Sequence, residues 1–284
     1  MKSMQFGTFE IFSVSDSPIC LDGGAVFGIV PRVFWERIYP PDDKHRIQVS
    51  LQSLLVVTKR HTILIDTGVG SKLDAKYYKI YGIDKNITLL KSLSRLGYQP
   101  QDIDIVINTH LHFDHAGGNT YIRDDGKTQP TFPKATYFIQ KGEMDDALHP
   151  NERTRASYLP DDFVPIADSR QLGMVDDETA EVDKGVSLIR TGGHTRQHQC
   201  VRIESEGQTA FFLADLVPTV AHLQLPYIAG YDLYPLTTLE QKRNILEQAH
   251  KERWLLIFQH DPKTLMGYLK KTEKGFEIEE GKTC

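Results

Sequence analysis

Cysteine is scarce: Cys20, Cys200 and Cys284 are the only three in 284 residues, widely spaced and without a Cys-x-x-Cys pair. Neither a disulfide framework nor a thiolate zinc site is encoded. An excess of positive charge is lacking too. With 33 Lys+Arg against 38 Asp+Glu the formal net charge is −5, so no broad basic field draws a polyanion, and nucleic acid is not an expected partner. Long apolar runs are also missing. Stretches such as 54–57 and 62–65 fall far short of the roughly 20 residues that cross a bilayer, so no membrane span is expected. The first twenty residues scatter Lys2, Glu10 and Asp16 among apolar side chains and hold no apolar run of signal-peptide length. These absences lead us to expect a cytoplasmic chain. Without a short repeat, a low-complexity tract or a Gly/Ser linker, one domain over 1–284 is expected, with an N-terminal segment to 48 and a C-terminal tail from 261.

What is present is an alternation of strand-like and helix-like segments. Short β-branched runs at 49–57, 62–66, 103–108, 135–139, 186–190, 200–204, 209–214 and 254–258 predict strands. Leu89, Leu90, Leu93 and Leu96 recur at helical spacing, and Thr237 with Glu240 predicts a capping box for a helix to about Glu252. An α/β protein with helix-covered sheets follows. Residues 120–133 and 218–236 read as irregular loops, and loops of that length are often functional. The charged stretch 270–282 reads as a solvated tail.

Histidine carries the chemistry. Directly after the apolar run 103–108 comes Thr109-His110-Leu111-His112-Phe113-Asp114-His115-Ala116-Gly117-Gly118. His110 and His112, two apart on extended backbone, project to one side and can reach the same ion. Asp114 and His115 follow as the chain turns, and Gly117-Gly118 is expected to let that turn be tight. Imidazole and carboxylate donors without thiolate suit Zn²⁺ first, with Mn²⁺, Fe²⁺ and Co²⁺ also compatible. Further ligand-type residues follow other strand-like runs: His194 after Gly192-Gly193, then Asp215, then His260. The common arrangement of strand and then ligand would gather them on one rim.

The set His110, His112, Asp114, His115, His194, Asp215 and His260, preceded by Asp66-Thr67-Gly68, resembles the metallo-β-lactamase superfamily. That resemblance implies an αβ/βα four-layer sandwich of two mixed sheets flanked by helices, with a dinuclear site at its edge. It implies His110, His112 and His194 on one ion, Asp114, His115 and His260 on the other, and Asp215 bridging. Asp66 would orient a ligand imidazole from behind; read from the sequence alone, it equally caps a turn before Gly68.

Within the superfamily, Asp215 points to lactonase-like or phosphotriesterase-like hydrolases. Residues 21–31 with Phe34-Trp35, then 214–222 and 231–235, are similar to the quorum-quenching N-acyl-homoserine lactone lactonases. The resemblance implies opening of a lactone ring by a hydroxide bridging two divalent ions, with Asp114 passing the proton to the leaving oxygen. A phosphotriester or aryl-ester hydrolase is the alternative enzyme, and a metal-dependent ligand-binding protein the alternative outside catalysis. One departure stands out. Some relatives have a tyrosine three residues after the bridging aspartate to bond the substrate carbonyl, and here that place is Pro218. His222 or a tyrosine among Tyr227, Tyr231 and Tyr234 is left for that role. Phe27, with His222 and Tyr227, is expected to contact substrate, although Phe27, Phe34 and Trp35 suit a homodimer interface or ordinary core equally well.

Overall fold

A computed structural model describes residues 3–279. The first sheet takes β1 (Ser3–Phe6), β2 (Phe9–Asp22), β3 (Arg46–Val57), β4 (Thr62–Ile65) and β5 (Ile105–Ile107). A small hairpin of β6 (Thr120–Ile122) and β7 (Thr128–Pro130) intervenes before β8 (Thr136–Gln140) and β9 (Leu172–Val175) complete it, in the order β1-β2-β3-β4-β5-β8-β9. The second sheet runs sequentially through β10 (Thr179–Asp183), β11 (Val186–Arg190), β12 (Gln199–Ser205), β13 (Gln208–Phe212), β14 (Leu255–Ile257) and β15 (Met266–Gly267). Both are mixed: β4, β5, β8 and β9 pair in parallel, as do β13 and β14, and the remaining pairings are antiparallel.

Side-chain alternation explains the layering. On β3, β4 and β5, Leu54, Val56, Ile63, Ile65, Ile105 and Ile107 face Leu188, Val201, Ile203, Phe212 and Ile257 of the second sheet, making one core between the sheets. Their neighbours Leu55, Leu64 and Val106 point the other way, onto Leu89 and Leu93 of the helix Leu89–Arg95 and Ile166 of the helix Val164–Asp168. On the far side, Phe211 and Leu256 meet Ile245, Leu246 and Ala249 of the helix Pro235–Glu252. A period of two on strands buried on both faces gives this αβ/βα sandwich.

Several expectations are corrected here. The C-terminal stretch is not a solvated tail: β16 (Leu269–Thr272) and β17 (Gly275–Ile278) form a hairpin that buries Leu269 and Phe276 against the long helix. Residues 280–282 of that stretch lie outside the described residues. The capping box of Thr237 and Glu240 does not form. The helix starts three residues earlier, with Tyr234 at the cap and Pro235 in its first turn, where a missing N–H costs nothing. Residues 120–133 are not wholly irregular, since they fold into the β6–β7 hairpin. The 14-residue β2 has no clear signal in the sequence, because buried Ser13, Asp16 and Ser17 interrupt its alternation at a bulge between Asp16 and Ile19.

Two buried charges fix the loops that surround the site. Asp16 accepts backbone N–H groups from Ser17, Gly70 and Leu89, and burial pushes its carboxyl up to about 6. Lys242, on the long helix, donates to the carbonyls of Gln224 and Tyr227 at 2.9 and 2.7 Å, and burial pushes its ammonium down to about 7. The loop 218–234 is therefore strapped to the helix beneath it.

Candidate metal centre

The strands β4, β5, β11, β13 and β14 all run toward the same edge of the sandwich. Asp66, His110, His194, Asp215 and His260 follow their ends by one to four residues. Two of the connecting residues hold left-handed backbone without being glycine, Asp66 at φ 57° and Ala214 at φ 45°. Such conformations cost about 1–3 kcal/mol and persist where the surroundings over-determine them.

The glycines at this edge act differently from the sequence expectation. Gly117 has ordinary helical φ, −57°. It is needed because the loop after Asp66 packs on the chain there: a Cβ at Gly117 would lie 2.3 Å from the Val69 carbonyl oxygen, and one at Gly118 2.2 Å from that of Thr67. Thr67 N–H donates to His115 O at 2.7 Å across the same contact.

Six of the seven residues come together in two triads, His110–His112–His194 and Asp114–His115–His260, with donor atoms within 4.8 Å of one another in each. Asp215 lies between them. Its Oδ2 is 3.1 Å from His194 Nε2 and 3.9 Å from His110 Nε2, while its Oδ1 is 2.8 Å from His260 Nε2 and 3.4 Å from His115 Nε2. Each carboxylate oxygen therefore faces one triad.

The outer nitrogens of the imidazoles are held from behind. Asp66 Oδ2 pairs with His115 Nδ1 at 2.9 Å, while its carboxylate also accepts the N–H and hydroxyl of Thr109. Asp232 Oδ1 pairs with His194 Nδ1 at 2.8 Å and its Oδ2 accepts from Thr238. Ser50 O lies 2.8 Å from His260 Nδ1. Such partners fix ring orientation and tautomer.

Electrostatics suit cation binding. Burial, followed by the neighbouring imidazoles, pulls His110 and His112 well below the ordinary histidine value, so both offer neutral lone pairs. Burial opposes ionisation of Asp215, but His115, His260 and His194 together hold its carboxyl well below the usual range. His110 Nε2 is buried with no hydrogen-bond partner. A buried imidazole nitrogen left unpaired beside His112, His194 and the Asp215 carboxylate fits a divalent ion, which satisfies such donors together.

Three supporting residues are absent from the sequence reading. Asp232 and Ser50 act through partners that only the fold supplies. His198 bonds Thr191 through Nδ1 and receives the Asp215 backbone N–H at Nε2; it follows no strand end, so the pattern that finds the other histidines misses it. Asp232→Asn is expected to weaken zinc binding by roughly 10–100-fold, checked by competition with a chromophoric chelator. Unchanged affinity would remove Asp232 from this role.

Above the centre opens a cavity of about 400 Å³ lined by Leu21, Val26, Val49, Ile80, Phe113 and Pro218 among others, with Asp114, Asp215 and His260 at its floor. Phe27, His222 and Tyr227 lie one layer behind its wall rather than on its surface. Asp22 caps the helix Gly23–Phe27, and the cavity face of that turn carries Asp22, Ala25 and Val26. Phe27 points away, fully buried, and stacks on His222 at 4.9 Å and Trp35 at 5.6 Å, with Tyr227 edge-on. His222 is occupied by Val26 O and Thr219 Oγ1.

A helix–sheet–sheet–helix sandwich with this donor set at the ends of its strands defines a metal-dependent hydrolase. The chain belongs to the metallo-beta-lactamase superfamily, whose profile matches residues 49–260. Among its relatives is an N-acyl homoserine lactonase of Bacillus thuringiensis, 30% identical over 223 residues, or 73% of this chain and 79% of that protein. Another, from Rhizobium radiobacter, is 25% identical over 195 residues, 67% and 70% of the two chains. A solved structure of a probable metal-dependent hydrolase from Staphylococcus aureus matches 98% of this chain and 99% of its own, with a TM-score of 0.88 and 27% identity. A dizinc quorum-quenching lactonase in complex with a product matches 98% and 96%, with a TM-score of 0.79 and 24% identity, a likeness of fold. No helix among the described residues is long and apolar enough to cross a membrane.

Proposed function

We propose that this enzyme opens the ring of N-acyl homoserine lactones. The observation that carries the reading is Asp215 facing two ligand triads at the floor of a mainly apolar cavity. His110, His112 and His194 would hold one divalent ion, Asp114, His115 and His260 a second, and Asp215 both, with zinc the metal best matched to imidazole and carboxylate. When bound, such ions polarise a carbonyl and lower the pKa of water toward neutrality.

The chain's own groups do the rest. Leu21, Val26 and Ile80 offer an apolar wall to an acyl tail, burial worth about 25 cal/mol per Å². Asp114 lines the cavity and would hand a proton to the ring oxygen as its bond to the carbonyl carbon breaks. Water is added across that bond, giving an open-chain hydroxy acid.

The test compares kcat/KM of the zinc-loaded enzyme on acyl homoserine lactones of several chain lengths with paraoxon-type triesters and aryl esters. Lactones are expected to win by roughly 10²-fold or more. Equal or better turnover of the triester would replace this reading with the phosphotriesterase one.

A further inference from the structure

The segment 229–234 crosses the cavity between fixed points. Gly230 N–H donates to Ala25 O at 2.8 Å and Leu233 N–H to His194 O at 3.0 Å, while the Asp232 side chain bridges His194 and Thr238. Tyr231 stands between these anchors and lines the same cavity as Asp114, Asp215 and His260. Its phenol oxygen is buried without a hydrogen-bond partner. Buried tyrosine hydroxyls usually find one, and an unsatisfied one loses its hydration for no return.

The groups that follow Asp215 in the chain are not free to take this part. The Thr219 hydroxyl bonds His222, His222 bonds Val26 O, and Pro218 has no N–H to give. Burial first, then the carboxylates Asp114 and Asp215, push the ionisation of Tyr231 well above the ordinary phenol value, so it keeps its proton and is a donor. A rigidly placed, buried and unpaired donor lining the same cavity as the donor set is what stabilises a developing oxyanion, because it needs no reorganisation when the charge forms.

We propose that Tyr231 is a catalytic residue that donates its O–H to the oxygen of the carbonyl under attack. This deepens the lactonase reading and rests on it for the identity of that carbonyl. The hydroxyl keeps its proton throughout, so the donated hydrogen bond strengthens as the carbonyl oxygen gains charge and relaxes when the ring C–O bond breaks.

The test is Tyr231→Phe in the zinc-loaded full chain, which keeps the ring and removes only the hydroxyl. On an N-acyl homoserine lactone, kcat is expected to fall on the order of 10²-fold with KM within about twofold. Zinc content should be unchanged and the melting temperature equal or higher, since an unpaired buried hydroxyl has been removed. Affinity for the N-acyl lactam analogue, whose ring does not open, should stay within about twofold, since the interaction grows only in the transition state. A kcat near wild type, a loss confined to KM, or a lowered melting temperature with weaker lactam binding would overturn the assignment. Should the wild type leave lactones intact, the lactonase reading fails separately, and Tyr231 is judged by the same kcat and KM criteria on the carbonyl of an aryl ester.

Discussion

Asp215→Ala is expected to reduce hydrolysis by on the order of 10³-fold or more while leaving a folded protein. The size follows from its position. One carboxylate faces both triads, 2.8 Å from His260 Nε2 on one side and 3.1 Å from His194 Nε2 on the other. Removing it deletes a donor common to both groups and the anion that balances the buried imidazoles. Asp215→Asn is a stricter version, since it keeps the shape but turns an N–H toward one triad. Steady-state kinetics with metal analysis and circular dichroism on the same preparation check the result. A folded, metal-replete Asp215→Ala enzyme with near-normal turnover would refute the shared role of this carboxylate.

Exhaustive chelation is expected to abolish activity, and added Zn²⁺, Mn²⁺ or Co²⁺ to restore it. It should also cost stability, because ions that bind only the folded chain stabilise it by about 4 kcal/mol at a thousandfold excess over Kd, or roughly 10 °C in melting temperature for a chain of this size. The stability arm is distinctive here. The donors come from both sheets, so losing the ions loosens the seam between them and leaves His110 and Asp215 buried without their shared counter-ion. Parallel melting curves and rate assays before and after chelation decide it. Activity indifferent to chelation would rule out the metal centre as the seat of catalysis.

The donor set is legible in the sequence because each residue follows an apolar strand run, and runs such as 105–107 and 255–257 are buried on both faces. Continuous apolar character marks such strands regardless of tertiary detail. Supporting residues are less visible. Asp232 reaches His194 across 38 positions and Ser50 reaches His260 across 210, and no local pattern announces a partner so distant. The cavity wall misleads for a different reason. A run such as 23–30 looks like an apolar loop, yet the Asp22 cap winds its first five residues into a helix, which sends Phe27 inward and leaves smaller Ala25 and Val26 on the cavity face. The strand β2 hides because Ser13 donates to Gln52 of β3 and Asp16 accepts the backbone N–H groups of Gly70 and Leu89, polar links in place of apolar packing.

Four of the seven donors hang from the first sheet and three from the second. Neither half on its own carries a complete pair of coordination shells, so the reactive centre exists only while the two halves keep a common register. An insertion or recombination event that respaced them by a fraction of an ångström would be tolerated by the greasy interior long before it was tolerated at this rim. The rim, more than the interior, therefore sets how far either half of the gene can drift without the other.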